Sequence, residues 1–322
     1  MRSPGARAAG GRGEETMVRK HPVGSFFALT YLITWPLQIA ALFFAGRDGF
    51  DLSNEDNYRH FTDIAGGEPA PGLLAPFLLF NLGQFGPALA ALVLIRMLYG
   101  RAGLSDWGAR IAAWRRPARW YGIVLVIPVL LALASLALGF VLGGMKFGEY
   151  EPRLALAAFV PFLLYMIVFT GLAEEPGWRG FALPHLQAKS TAARSSWILG
   201  FAWGLWHVPF TIYYNRDEPL LILPTLLGLT FGIVGWTMVN TWIYNSTEST
   251  WLMVLLHGWG NAVQSYLVLS QTNFVAHILY GLLPWAIAVY LSKKYGDENL
   301  SDQPRPRWWP GAYPIQEREA VT

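Results

Sequence analysis

Three short segments of the chain place ionisable side chains inside or beside apolar runs. Glu174, Glu175 and Arg179 end one apolar run, and His207 and His257 lie inside two others. Charged and polar groups are costly in hydrocarbon, so residues of this kind are functional candidates by default. Carboxylates and imidazoles are the side chains that most often transfer protons in catalysis. Together they point to the activation of a water molecule.

The first segment separates its two glutamates by geometry. Glu175 and Arg179 are four residues apart, so on a helix they share a face and can pair. Glu174 points about 100° away and has no predicted local partner. One glutamate is then structural, and the other is free to accept a proton. Pro176 and Gly177 predict a break in the helix. The alternative reading is a salt bridge at the membrane edge.

The other two segments each carry a histidine on an apolar helix. His207 is surrounded at helical spacing by Trp203 and Trp206. His257 and Asn261 are four residues apart and share a face. The structural alternatives are a packed histidine bonded to another helix and an interhelical hydrogen-bond pair. Four other histidines, in loops or near an interface, are predicted to be structural or solvated.

The composition indicates a membrane protein. Of the 322 residues, 53% are hydrophobic and 14% are charged, whereas a soluble domain carries about 25% charged residues. Cysteine is absent, which excludes disulfides, thiol nucleophiles and cysteine metal sites. The net charge of +3 is small, and the basic residues lie in loops and tails. The expected partner is therefore the lipid bilayer and not nucleic acid.

The chain is predicted to be all-α, a polytopic transmembrane helical bundle of about eight spans, because a span needs about 20 apolar residues. Residues 1–24 are expected to be a disordered basic tail, residues 25–294 the transmembrane domain with its motif core at 155–265, and residues 295–322 a polar tail. Gly200/Gly204 and Gly228/Gly232 have the spacing of close helix packing. The predicted spans cover residues 25–46, 73–95, 120–144, 154–180, 197–214, 220–244, 251–269 and 274–292.

Loop charges predict the orientation. The N-terminal tail, the loops after the second and fourth spans and the C-terminal tail are basic, whereas the loop after the first span is acidic. Basic loops stay in the cytoplasm, which places both termini inside. At about 1.5 Å per residue, His207 lies roughly 15 Å and His257 roughly 10 Å from the cytoplasmic ends of their spans. The three segments are therefore expected to meet in the cytoplasmic half of the bilayer.

In this order the three motifs resemble the CPBP family of intramembrane proteases, which includes the CAAX prenyl proteases and the Abi bacteriocin-immunity proteins. Glu174, Glu175 and Arg179 match its first motif, Phe201 and His207 its second, and His257 and Asn261 its third. Three motifs in order, each on its own apolar helix, make the match specific.

The resemblance implies an endopeptidase that cuts peptide bonds at the cytoplasmic side of the membrane. Glu174 would accept a proton from water and His207 would help to orient that water. His257 and Asn261 would donate hydrogen bonds to the oxyanion, and Glu175 with Arg179 would hold the first segment in place. The expected substrate is a peptide or membrane protein, and the expected location is a bacterial cell membrane.

No cofactor is favoured, and zinc remains the alternative. The family is often described as metalloprotease-like, and Glu174, His207 and His257 would supply a zinc site with an open position for water. No H-E-x-x-H motif is present. Two other functions stay open: a non-catalytic immunity or scaffold protein of the same fold, and a transporter. The absence of a repeat pair disfavours the transporter.

Overall fold

A computed structural model describes residues 17–143, 152–269, 274–303 and 306. Across these ranges the chain is helical and contains no strand, which confirms the all-α prediction. A four-residue helix at Met17–Lys20 precedes the bundle. The main helices are α1 Pro22–Asp48, α2 Asn54–Ala65, α3 Leu74–Gln84, α4 Gly86–Ile111, α5 Ala118–Gly143, α6 Leu156–Gln187, α7 Ala192–Trp206, α8 Val208–Tyr214, α9 Pro219–Thr247, α10 Thr250–Val263, α11 Phe274–Leu282 and α12 Pro284–Tyr295.

Six of the described segments are long and apolar enough to cross a membrane: α1, α4, α5, α6, α9 and the segment Val275–Tyr295 formed by α11 and α12. The chain is therefore an integral membrane protein. The predicted fifth span is divided at His207 into α7 and α8. The predicted seventh is the 14-residue α10, which continues as a π-helix to Val268. About eight segments thus run through the bundle.

The bundle has two polar faces at its opposite ends. The basic face comprises residues 17–21, 96–119, 187–194, 245–250 and 293–302, and the acidic face comprises residues 47–72, 152–156 and 213–219. The basic face carries twelve Lys and Arg against five Asp and Glu, and the acidic face carries four against eight. The side of the membrane that each face meets stays a prediction from loop charge.

Pro176 does not interrupt α6, so the predicted break there is wrong. Proline lacks an N–H and its ring clashes with the carbonyl four residues earlier. Helix α6 accommodates it by widening into π-helix on both sides, over Ile167–Leu172 and Trp178–Ala182. The carbonyl of Pro176 accepts a hydrogen bond from Trp107 Nε1 at 3.0 Å. The two π-helical stretches flank Ala173–Gly177. Because π-turns often occur at functional positions, this segment is a candidate functional position.

Two glycines bring α6 and α10 into close contact. A Cβ atom added at Gly171 would lie 2.4 Å from the carbonyl oxygen of Val254, and one at Gly258 would lie 2.7 Å from the Cα of Ile167. Neither position has room for a side chain, so the two backbones touch at this crossing. The crossing places His257, which precedes Gly258, against the middle of α6.

Close helix packing was also predicted at two glycine pairs, Gly200/Gly204 and Gly228/Gly232, and it occurs at three of these four positions. An added Cβ would meet Val234 at Gly200 and Thr230 at Gly204, so α7 and α9 pack closely there. Gly232 packs against the carbonyl of Gly281, whereas no atom of the described residues lies within 4 Å of a Cβ at Gly228. Gly228 therefore takes no part in the helix packing that its spacing predicted. It lines a cavity instead.

The predicted tails lie partly within the described residues. Residues 1–16 lie outside them, but residues 17–20 are helical and α1 begins at Pro22, inside the tail predicted to be disordered. At the other end, Leu300 is fully buried, and the carbonyls of Glu298 and Asp297 accept the N–H groups of Ala192 and Ala193. This segment caps the N-terminus of α7. Residues 304, 305 and 307–322 lie outside the described part of the chain.

Candidate active site

One cavity of about 600 Å³ joins the residues predicted to do chemistry. Glu174 from α6, His207 from the α7–α8 junction, and His257 and Asn261 from α10 all line it. Glu175 and Arg179, the other two predicted residues, are buried and stand behind its wall. The three segments, which are separated by up to 87 positions in sequence, therefore meet at a single chamber.

Two tryptophans hold the carboxylate of Glu174. Its Oε2 accepts hydrogen bonds from Trp178 Nε1 at 3.1 Å and from Trp203 Nε1 at 2.8 Å. The expectation that Glu174 has no local partner is wrong, because Trp178 lies one turn further along the same helix. The other oxygen, Oε1, lies 3.9 Å from His257 Nε2. The carboxylate is therefore fixed through one oxygen and presents the other to the chamber.

Glu175 and Arg179 form the buried pair that their spacing predicts. Arg179 Nη1 lies 2.8 Å from Oε1 and 3.1 Å from Oε2 of Glu175. The guanidinium also stacks over the ring of Trp203, 4.6 Å from its centre, and Nη2 approaches Thr237 Oγ1 at 3.4 Å. Glu175 Oε1 also accepts a hydrogen bond from His257 Nδ1 at 2.9 Å. The pair thus holds the ring of His257 as well as its own helix.

The break at His207 has a local cause. Pro209 follows two residues later and cannot donate a backbone hydrogen bond, so the regular ladder of α7 ends at Trp206. His207 Nδ1 lies 2.9 Å from the carbonyl oxygen of Trp203. A carbonyl only accepts, so the ring proton is on Nδ1. The other ring nitrogen, Nε2, is then an acceptor at the chamber wall.

Asn261 is fixed by a neighbour on α6. Its Nδ2 donates to Thr170 Oγ1 at 3.2 Å, and Thr170 in turn donates to the carbonyl of Met166 at 2.6 Å. One hydrogen of the Asn261 amide remains for a group in the chamber. Because Asn261 lies one helical turn beyond His257, the two side chains project to the same side.

The chamber wall also holds buried polar atoms that have no hydrogen-bond partner among the described residues. They are Glu55 Oε1, Gln84 Oε1, Trp206 Nε1 and Asn240 Oδ1. Buried polar groups in native proteins are nearly always hydrogen-bonded, so these atoms require water or a bound molecule. A bound peptide offers both N–H and C=O groups, which are the partners that these three acceptors and one donor lack.

The chamber extends to the acidic face. Residues 52–55, Arg153 and Tyr214 line it at that end, and no residue of the basic face does. The sequence predicted a site that opens towards the cytoplasm and a cytoplasmic basic face. Since the described lining reaches only the acidic face, these two predictions cannot both hold.

The described residues provide no ready-made zinc site. No three His, Asp or Glu side chains among them are grouped closely enough to hold a metal ion. Of the predicted ligands, Glu174 uses Oε2 to bind two indole N–H groups, and a cation at that oxygen would displace these donors. The other oxygen, Oε1, is the atom of Glu174 that a metal ion would bind, so zinc stays the alternative prediction.

Several of these contacts could not be predicted from the sequence. Trp178 had a signal, since it lies four residues after Glu174, and Trp203 stands four residues before His207. The bonds from Trp203 to Glu174 and from His257 to Glu175 join different helices, so no local pattern reports them. Nothing in the sequence tied Glu55 to the site.

Comparison with known proteins supports the predicted resemblance. Residues 156–263 match the family model described as type II CAAX prenyl endopeptidase Rce1-like. The chain is also 28% identical over 142 residues to CAAX prenyl protease 2 of Methanococcus maripaludis, which is 42% of this chain and 52% of that protein. The chain spans about half the length of the curated relative it matches. The resemblance to the CPBP family is thereby confirmed for the part of the chain that contains Glu174, His207, His257 and Asn261.

Proposed function

We propose that this integral membrane protein, whose residues 156–263 match a family of CAAX prenyl endopeptidases, is an intramembrane endopeptidase. The observation that carries the proposal is the shared chamber, in which an oriented carboxylate, two imidazoles and an amide line one cavity. The positions of these four residues lie within the matched range 156–263, and the chamber is large enough to hold several residues of an extended peptide as well as water.

In the proposed mechanism Glu174 is the general base. Its Oε1 takes a proton from a water molecule while the water oxygen attacks the scissile carbonyl carbon. His207 accepts the second hydrogen of that water at Nε2 and so fixes its direction of attack. When the tetrahedral intermediate collapses, the carbon–nitrogen bond breaks and Glu174 returns the proton to the leaving nitrogen. Glu174 then ends the cycle as a carboxylate.

The oxyanion of the intermediate would be stabilised by His257 and Asn261. Asn261 offers its remaining amide hydrogen. His257 already shares its Nδ1 hydrogen with Glu175, so it donates from Nε2 only as an imidazolium. With that ion, the buried charges of Glu174, Glu175, Arg179 and His257 sum to zero, and a neutral cluster is far cheaper to bury than a net charge. Donors positioned in advance in this way are worth about 10²–10³-fold in rate.

The proposal is tested with purified full-length protein in nanodiscs and a library of lipid-embedded peptides. We expect cleavage that persists after chelation and is not raised by added zinc, because the mechanism needs no metal. Mass spectrometry of the products measures cleavage, and metal analysis of the same sample measures bound zinc. A requirement for stoichiometric zinc would overturn the metal-free mechanism. A protein that cuts no peptide but protects cells from a bacteriocin, or that carries solutes across liposomes, would support the scaffold or transporter alternative.

The orientation can be measured because the chain has no cysteine. Loop charge places the basic face in the cytoplasm, so we expect Glu68→Cys, at an exposed position of the acidic face, to react with a membrane-impermeant maleimide in intact cells. Lys189→Cys, exposed on the basic face, should react only after the cells are permeabilised. The reverse pattern would place the chamber mouth, and cleavage, on the cytoplasmic side. The bacterial cell membrane stays a prediction.

A further inference from the structure

The mouth of the chamber contains a carboxylate that the proposed reaction does not use. Glu55 lies in the first turn of α2 and lines the cavity. It is only 2% exposed, and its Oε1 has no hydrogen-bond partner within the described part of the chain. Among the described residues one cation approaches it, Arg153, whose Nη1 lies 4.0 Å from Oε2 and whose side chain is 48% exposed. A loose contact at that distance leaves the carboxylate free to bind another donor.

A buried carboxylate with an open oxygen is costly unless a cation meets it. The residues around Glu55 also favour a cationic ligand, because the acidic face carries eight acidic against four basic residues. A surface of one sign next to a cleft raises the local concentration of oppositely charged ligands. The hydroxyl of Tyr214 donates to Asp51 beside the same mouth at 3.2 Å, which keeps a second acid at the entrance.

The distance from the mouth to the reacting groups can be expressed in substrate residues. His207 and Tyr214 both line the cavity and are seven positions apart, which is about 10 Å along a helix. An extended peptide covers about 3.3 Å per residue. A substrate group at the mouth is therefore about three residues from the bond that is cut.

We propose that Glu55 forms a binding subsite for a cationic substrate residue, lysine or arginine, about three residues from the scissile bond. This rests on the proposed endopeptidase function and adds a preference for substrates with a basic residue near the cleavage point. The substrate would enter at the acidic face with this residue paired to Glu55. A charge-assisted hydrogen bond is roughly twice as strong as a neutral one. Because Glu55 lies away from the reacting groups, this bond would act mainly on substrate binding.

The test uses uncharged peptides rich in Ala, Leu and Ser that carry one lysine, moved position by position, each paired with a peptide bearing Nε-acetyl-lysine at the same place. We expect the full-length protein to cut the lysine form at least about tenfold better in kcat/KM at a position near three residues from the cut. The difference should appear in KM. In Glu55→Gln this ratio should fall to about one, and in Glu55→Lys a glutamate peptide should become the better substrate.

Asp63→Asn is the matched control, because it removes an exposed acid from the same helix that does not line the chamber. It should leave the tenfold ratio in place. Binding of the same peptides to the Glu174→Gln protein, measured by fluorescence anisotropy, gives an answer that does not need turnover. A lysine preference in binding without any cleavage would overturn the endopeptidase and keep the subsite. Equal cleavage and binding of lysine and acetyl-lysine peptides, or a ratio that survives in Glu55→Gln, would overturn the subsite.

Discussion

Glu174→Gln should lower kcat for peptide cleavage by at least about 10³-fold, within the range expected for loss of a general base. The amide has the shape of the carboxylate, and its oxygen can still accept both indole N–H groups that now reach Oε2. The fold and the chamber should therefore persist. Only the ability to take a proton from water is lost, so KM should change little.

The measurement is a steady-state assay of both proteins on one peptide, with thermal unfolding to establish that the variant is folded. Glu218→Gln is the control, since that glutamate is exposed on the acidic face and outside the chamber, and its rate should match the wild type. If Glu174→Gln cuts as fast as the wild type, Glu174 is not the base.

Arg179→Met should destabilise the protein by about 3–5 kcal/mol, the cost of leaving one partner of a buried ion pair alone. Arg179 is fully buried and makes its two closest polar contacts with Glu175. Without it, Glu175 stays buried, and among the described residues His257 alone remains as its polar partner. The ring of His257 should then lose its fixed position, so activity should fall together with stability.

Unfolding by SDS in mixed micelles measures this loss. Arg194→Met is the control, because Arg194 is exposed and such surface changes usually stay within about 0.5 kcal/mol. The double variant Glu175→Gln/Arg179→Met removes both charges and should recover most of the lost stability. A single variant as stable as the control would mean that the pair does not hold α6 and α10 together.

The sequence predicted the helical bundle because its apolar runs are long and uncharged. It also predicted the Glu175–Arg179 pair, because their spacing is local to one helix. Pro176 was misleading because widening of a helix into π-turns depends on what surrounds it, here Trp107 and the crossing with α10. A local sequence pattern predicts the conformation of an isolated helix, and at Pro176 the packing around the helix decides the conformation.

The parts of the site that depend on contacts between helices were beyond a single sequence. The direction in which the chamber opens depends on where α2 packs. The acidic loop that contains α2 was used only to predict the orientation in the membrane. The proposed role of Glu55 depends on its burial in the folded protein, and its polar neighbours in the sequence give no sign of that burial. The closeness of His257 to Glu174 and Glu175 follows from two glycines, Gly171 and Gly258, that allow the backbones to touch.

The most direct test of the central claim is peptide cleavage in water enriched in ¹⁸O, with wild-type and Glu174→Gln proteins compared in the same nanodiscs. We expect the wild-type product to carry one ¹⁸O in its new C-terminal carboxylate and the variant to yield almost no product. Labelled product formed at equal rates by both proteins, or no hydrolysis of any peptide by the wild type, would contradict a water-activating centre at Glu174.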